Sequence, residues 1–353
     1  MWSPKYNLTN NIVRNLTEIA EEKVIIERAK IVPQNEVRLR RQALIRMTQS
    51  STAIEGNQLG ISDIAALIAH KKVDAPARDI YEIRNYLSAI KYVQLLVGKK
   101  QKITEHVLLH LHKLVTADTL PKHQAGHYRS TGVHIIKRRL GHPIEVIYTA
   151  ADAAKVPGLV RELLFWITKT SIDKKIHPII VAGIAHHEIA AIHPFSDSNG
   201  RTARALATLI LWQRGYDFRQ LFALEDFYNQ DRPRYYDAIN IGLTYDGRLK
   251  DSTKWLEYFV EGFAEEIRGV KARILSLARK KVGIGVQTKV ILDPQQLRII
   301  DFIDQVGRIA VTDVMEILSI PKRTAQYELL RLKKMRMIKQ IGKGRATYYQ
   351  LRS

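Results

Sequence analysis

The sequence has no cysteine, no long uninterrupted apolar run, and far fewer acidic than basic residues. Without thiols there is no disulfide framework, no cysteine-ligated zinc and no thiol nucleophile, and the chain fits a reducing cytosol. The longest apolar stretch, Ile179–Ile192, is interrupted by His186, His187 and Glu188, so no segment reads as a membrane span. The opening residues Met1-Trp2-Ser3-Pro4-Lys5-Tyr6-Asn7 lack the apolar h-region of a signal peptide. Internal repeats and low-complexity tracts are also missing. The expectation is a soluble, cytoplasmic protein with no membrane partner.

What is present fills a core. Hydrophobic residues make up 46% of 353 residues, a length that suits two or three domains. Net charge is +21, which points to an acidic partner. The excess is uneven: Arg268–Ser353 holds 19 Lys and Arg against 6 Asp and Glu, a surplus of 13. Either this is a solubilising surface or the C-terminal part contacts nucleic acid.

Helical patterns cover most of the chain. Residues 8–31 and 36–55 read as two helices, with Pro33 as a stop, Asn35 as the cap of the second and Gly56 as the residue that ends it. Further helices are expected at Ile61–Lys71, Arg78–Leu96, Thr104–Ala117, Ala151–Lys169, Pro178–Ile192, Arg201–Arg214, Arg232–Leu243 and Lys254–Lys281. Between Gly132 and Thr149 two β-prone runs flank a polar stretch and read as a hairpin. Arg279–Leu292 reads as a linker. Beyond it, helices at Pro294–Gln305, Thr312–Leu318 and Pro321–Lys334 precede strands at Met337–Ile341 and Ala346–Leu351. Three helices and a basic hairpin are the plan of a winged helix-turn-helix.

Chemistry concentrates in His193-Pro194-Phe195-Ser196-Asp197-Ser198-Asn199-Gly200-Arg201-Thr202-Ala203-Arg204. Pro194 ends one helix and a second starts near Asn199. Arg201 and Arg204, three residues apart on one face, lie in the first turn, where the helix dipole disfavours cations. Two guanidiniums beside free backbone N–H groups want an anion, and phosphate matches both. Gly200 lets backbone approach closely. Asp197 reads either as a helix cap or as an oxygen ligand for Mg²⁺. His193 is either a core histidine or, beside a phosphate site, a general base.

This stretch resembles the signature of the Fic family, usually written His-Pro-Phe-x-(Asp/Glu)-Gly-Asn-(Gly/Lys)-Arg-x-x-Arg. His193, Pro194, Phe195, Asp197, Asn199, Gly200, Arg201 and Arg204 match by identity. An accidental match has a probability on the order of 10⁻⁸. Ser198 departs from the pattern, where glycine is usual. The resemblance implies a mainly α fold, a Fic-type helical domain with a β-hairpin flap, followed by the winged-helix domain. It also implies transfer of AMP from ATP to a Ser, Thr or Tyr hydroxyl of a protein. His193 would take the hydroxyl proton, Asp197 would hold Mg²⁺, and Asn199 and Gly200 would form the anion hole. Arg201 would bind the β-phosphate and Arg204 the γ-phosphate, and Tyr235 and Tyr236 would lie near the nucleobase pocket. Val133, His134, Ile135 and Ile147 belong to the flap that would clamp the target's main chain. Gly126-His127-Tyr128-Arg129 also resembles the family.

A second stretch, Ser51-Thr52-Ala53-Ile54-Glu55-Gly56, resembles the family's inhibitory motif, (Ser/Thr)-x-x-x-Glu-(Gly/Asn). The resemblance implies that Glu55, with Ser51 in the same motif, pairs with Arg204 and displaces the γ-phosphate. The implied organisation is an N-terminal helical region with the inhibitory helix at 1–100, a Fic core at 101–265, a basic helix and linker at 266–292, and the winged helix at 293–353. Two rivals stand beside AMP transfer. One is removal of AMP, or transfer of another phosphate-containing group. The other is a DNA-binding regulator with a sensor-like Fic domain, whose DNA contacts would be Lys322, Arg323 and Gln326, with Lys343 and Arg345 on the wing. A homodimer is left open.

Overall fold

The structure is a computed structural model that describes residues 2–137, 145–240, 242–248, 250–279, 292–306, 308–342 and 347–352. The residues it describes are mainly helical, with two small two-stranded sheets. At the centre lie α7 (Pro178–Ile192) and α8 (Asn199–Gln213), joined by the loop that carries the signature. Both are buried nearly all round, as an apolar helix without a polar face must be. Around them pack α4 (Ala77–Gly98), α5 (Glu105–Val115), α6 (Val156–Asp173) and α11 (Thr253–Arg279), with α1 (Asn10–Arg28) laid along α11. One apolar cluster runs from Ile12 to Ile274 through these helices.

Caps explain several boundaries. Thr9 accepts from the Ile12 amide at the head of α1, and Thr104 from that of Val107 at the head of α5. The helix that carries Ser51 and is capped by Glu55, α2 (Pro33–Ile54), begins two residues earlier than the expected Asn35 cap. Pro33 opens it rather than stopping the previous helix, because its missing N–H is an orphan at that position anyway. Gly56 follows with φ +101°, the left-handed geometry expected of the residue that ends α2. Sequence periodicity missed α9 (Leu224–Gln230): seven residues are too few to display a helical repeat. A short α3 (Ile61–Ile68) and α10 (Arg232–Ile239) complete the helices before α11.

The C-terminal part folds as α12 (Pro294–Val306), α13 (Val311–Leu318), α14 (Lys322–Lys334) and an antiparallel hairpin, β3 (Ile338–Ile341) with β4 (Tyr348–Leu351). Ile309 bridges to Tyr349, so a third segment joins the sheet. Its core includes Ile299, Ile303, Val314, Leu329, Leu332 and Ile338, and Val37 of α2 packs into the same cluster. Helix α11 runs unbroken through 265–266 to Arg279. Residues 280–291 of the expected linker lie outside the described residues, as do Lys343 and Arg345 of the wing. No described helix is long and apolar enough to cross a membrane.

Candidate active site

The loop between α7 and α8 is held from every side. His193 ends α7 in the left-handed region (φ 53°, ψ 60°), with its amide still bonded to the Ile189 carbonyl at 3.0 Å. Arg129, 6% exposed, gives Nε to the His193 carbonyl at 2.7 Å and its amide to the Pro194 carbonyl at 3.0 Å. Its guanidinium also binds the carbonyls of Thr131, Ala151 and Ile192. Phe195 is fully buried and stacks on His112 with ring centroids 3.7 Å apart. Nδ1 of His112 accepts from the Gly126 amide at 2.9 Å, so the proton sits on Nε2, which donates to the Asp197 carbonyl at 3.2 Å. Burial pushes the His112 imidazole down to about 4, keeping it neutral. Asn199 closes the loop on itself: Oδ1 accepts from the Phe195 amide and Nδ2 donates to the Phe195 carbonyl, both at 2.9 Å. The Asn199 side chain is therefore a brace, which leaves its backbone amide for an anion.

The His193 ring lies with Nδ1 3.2 Å from the Ala190 carbonyl. That contact places the proton on Nδ1 and leaves Nε2 as the basic nitrogen. Burial lowers the pKa below the ordinary histidine range, so the ring is neutral at pH 7.

Ser198, the departure from the family signature, adopts φ 62° and ψ 22°. A left-handed non-glycine residue costs roughly 1–2 kcal/mol. Its hydroxyl offsets part of this by accepting from Arg201 Nη2 at 2.8 Å, and its carbonyl takes both the amide and the hydroxyl of Thr202. Arg201, 2% exposed, lies 3.4 Å from Glu82 on α4, while its Nε and Nη1 have no hydrogen-bond partner. Asp197 keeps 43% of its side chain exposed, with Oδ2 3.5 Å from Arg78 and Oδ1 accepting from the Ser198 amide. Among the described residues no group of three or more His, Asp or Glu could hold a metal by itself.

The end of α2 meets the start of α8. Arg204, 2% exposed, donates Nε to the Ser51 hydroxyl at 2.8 Å and Nη2 to the Ser51 carbonyl at 2.8 Å. Nη2 also reaches Glu55 Oε1 at 2.7 Å. The pairing is single-pronged rather than bidentate: Ser51 takes Nε and shares Nη2 with Glu55, while Nη1 has no hydrogen-bond partner. Burial would raise the Glu55 carboxyl, but the Arg204 and Arg201 guanidiniums outweigh it and hold it below its usual range. A Cβ at position 200 would overlap Glu55 Oε1 and lie 3.0 Å from Arg204 Nη1. Gly200 is thus required by the approach of the α2 carboxylate. The Tyr236 hydroxyl donates to the Ile54 carbonyl at 3.2 Å and pins this helix end.

The Tyr235 ring is 2% exposed, stacked on Tyr228 at 4.8 Å, with its hydroxyl 3.1 Å from His186 Nε2. It packs in the aromatic core beside Arg204, whereas Tyr236 is 47% exposed. The flap is β1 (His134–Lys137) paired antiparallel with β2 (Glu145–Thr149), with a register break between Ile135 and Ile136. Val133 lies just outside β1, its carbonyl accepting from the Ala150 amide. Nδ1 of His134 lies 3.1 Å from the Thr149 hydroxyl, and Ile147 sits in β2. The Tyr148 hydroxyl donates to the Ala191 carbonyl at 2.8 Å, tying β2 to the end of α7 beside His193. The turn, 138–144, lies outside the described residues. Lys322, Arg323 and Gln326 are exposed at the start of α14, remote in sequence from these groups.

Several supporting residues were not anticipated. Arg78, Glu82 and Tyr86 recur every four residues along one face of α4. That spacing was the available signal. Glu82 Oε2 accepts from Asn57 Nδ2 at 3.0 Å, linking the segment after Gly56 to Arg201. Glu225 on α9 accepts from the Tyr86 hydroxyl at 2.8 Å, and burial pushes its carboxyl up to about 7. The folded state therefore holds this proton more tightly than the unfolded chain. Its contribution to stability is complete below pH 4.5 and is lost as pH rises through 7, a difference of roughly 3 kcal/mol. Glu225→Gln should remove that slope; denaturant titrations of both proteins at pH 5 and pH 8 measure it.

Comparison with known proteins agrees with this geometry. Residues 102–211 match the Fic/DOC family, and residues 294–352 match the C-terminal domain of the transcriptional regulator DIP2311-like family. The stretch that matches the Fic/DOC family contains the loop from His193 to Arg204, and the stretch that matches the regulator domain contains α12, α13, α14, β3 and β4. Among curated proteins it is 31% identical over 238 residues to the protein adenylyltransferase Fic of Nematostella vectensis, covering 65% of this chain and 51% of that one. The Culex quinquefasciatus protein adenylyltransferase Fic is 29% identical over 211 residues, with 58% and 38% covered. The chain thus spans about half or less of these relatives. A crystal structure of a Fic family protein from Desulfovibrio desulfuricans G20 aligns over 100% of this chain and 99% of that one, at 25% identity and a TM-score of 0.64. Fic-1 from Caenorhabditis elegans shares the fold, with 21% identity, a TM-score of 0.60, and 76% and 73% covered.

Proposed function

We propose that this protein is an adenylyltransferase that moves AMP from ATP to a hydroxyl side chain of a protein, in the cytoplasm, and that α2 is its built-in brake. The observation that carries the reading is the contact of Glu55 Oε1 with Arg204 Nη2, at 2.7 Å, beside a neutral His193. The curated relatives' names support the activity. The target oxygen attacks the α-phosphorus while its proton passes to His193 Nε2, and the bond to the leaving pyrophosphate breaks. Arg201, whose buried Nε has no hydrogen-bond partner and whose Nη1 meets only Glu82 at 3.4 Å, and Arg204 would take the β- and γ-phosphates. The amides of Asn199 and Gly200 at the head of α8 would receive phosphate oxygen. One exposed carboxylate suits a Mg²⁺ that arrives with the nucleotide, since Mg²⁺ keeps its waters and binds few protein ligands. Asp197 would hold that ion, which when bound neutralises phosphate charge. Glu55 on Arg204 excludes the γ-phosphate and with it the in-line geometry of attack.

ATP labelled at the α-phosphorus, supplied with lysate to the parent and to Glu55→Gly, tests the reading by incorporation and mass spectrometry of the labelled protein. Label retained from the γ- but not the α-phosphorus would establish phosphoryl transfer instead. Release of AMP from a modified protein, without incorporation, would establish the removal reaction.

A second activity is favoured by the match of residues 294–352 to a transcriptional regulator domain: the winged helix binds DNA through the exposed head of α14. Affinity of the full chain for random duplex DNA should fall at least about tenfold between 50 and 200 mM salt, because phosphate contacts release counterions. Lys322→Ala with Arg323→Ala should lower the log–log salt slope by about 2. No binding at 50 mM salt would instead mark the domain as a protein-interaction module.

A further inference from the structure

Behind Arg204 lies a buried polar chain with no part in the chemistry described so far. Arg204 Nε donates to Ser51 Oγ at 2.8 Å, which leaves the serine's own hydrogen to give. The Tyr86 hydroxyl neighbours both that serine and the Arg204 guanidinium. Tyr86 in turn donates to Glu225 Oε1 at 2.8 Å. Tyr86 is 0% exposed and Glu225 2%, so neither can exchange these partners for bulk water. The two hydrogen bonds that frame the series, guanidinium to serine and phenol to Glu225, both lie in the interior, where low dielectric strengthens them. Three helices, α2, α4 and α9, thereby hold one arginine of α8.

The other edge of the guanidinium is free. Nη1 of Arg204 is buried without a hydrogen-bond partner, and it lies 3.0 Å from where a Cβ of Gly200 would be. It therefore faces the head of α8, where an anion is expected. Once Glu55 is gone, the anchored Nε edge fixes where the Nη edge points.

We propose that Tyr86 and Glu225 are positioning residues that aim the Arg204 guanidinium, through Ser51, at the terminal phosphate of the nucleotide. The inference rests on the assignment of Arg204 to the γ-phosphate, and the test separates the two. ATP and ADP share every group except that phosphate. Affinities for both are measured by calorimetry on the full chain carrying Glu55→Gly, with KM and kcat for ATP alongside. Arg204→Ala should abolish the preference for ATP over ADP; if the preference persists, the phosphate assignment itself is wrong. Given its loss there, Tyr86→Phe and Glu225→Gln should each weaken ATP about five- to tenfold, as expected when a guanidinium loses one well-placed hydrogen bond. ADP affinity should stay constant, KM should rise, and kcat should change little. Ser51→Ala should reproduce the loss and Ser51→Thr, which keeps the hydroxyl, should restore the preference. Equal weakening of ATP and ADP would show a merely structural role. An unchanged ATP preference in Tyr86→Phe and Glu225→Gln would overturn the proposal.

Discussion

His193→Ala is expected to lower the rate of AMP transfer by roughly 10²–10⁴-fold, the usual contribution of a positioned general base. Nucleotide affinity should stay within a few-fold of the parent, because the phosphate-facing groups lie on α8 rather than at the end of α7. The expectation follows from how the ring is held. Its Nδ1 sits on the Ala190 carbonyl, burial keeps it neutral, and Arg129 fixes the backbone carbonyl of the same residue. A base with a free Nε2 and no proton to lose is ready to accept one from a hydroxyl. Single-turnover transfer and ATP binding, measured on the same preparation, check both halves. Near-parent rates would remove His193 from the chemistry.

Glu55→Gly should raise labelling at least about tenfold in Mg²⁺ and ATP, a change that needs only about 1.4 kcal/mol of relieved competition. One electrostatic mismatch is relieved in the resting pair. Glu55 caps α2 at the end where the helix dipole repels a carboxylate, and Arg204, the sixth residue of α8, supplies a cation to it. The mismatch costs about 0.3–1 kcal/mol, and pairing offsets it. The contact uses only Nη2, so removing the carboxylate leaves Arg204 anchored by Ser51 and free to meet phosphate. Arg204→Ala should show no such gain, since it removes the partner of the brake and the phosphate ligand together. The double variant should behave as Arg204→Ala alone. If Glu55→Gly binds ATP as the parent does and labels no better, α2 is a structural helix only.

Local chemistry is legible without coordinates when it depends on neighbours in sequence. Pro194 must end α7, Gly56 must follow α2, and two arginines in one turn must share a face, whatever surrounds them. The placement of Pro33 failed for an equally local reason, since proline serves as a helix opener as well as a stop. The short α9 carried too little periodicity to be seen.

The amino-acid sequence by itself determined the mainly helical class, the loop from His193 to Arg204, the place of Glu55 at the end of a helix, and three helices with a hairpin at the C-terminal end. Tertiary structure alone decided which polar groups are spent on holding the site and which remain for a ligand. Asn199 braces Phe195, Tyr235 packs in the core, and Ser51 rather than Glu55 takes most of Arg204. Arg129, His112, Glu82, Tyr86 and Glu225 come to the site from distant parts of the chain. The physical reason is burial: a charged or polar side chain has its role set by whichever partners replace water around it. Those partners are chosen by the packing of helices, not by position along the chain.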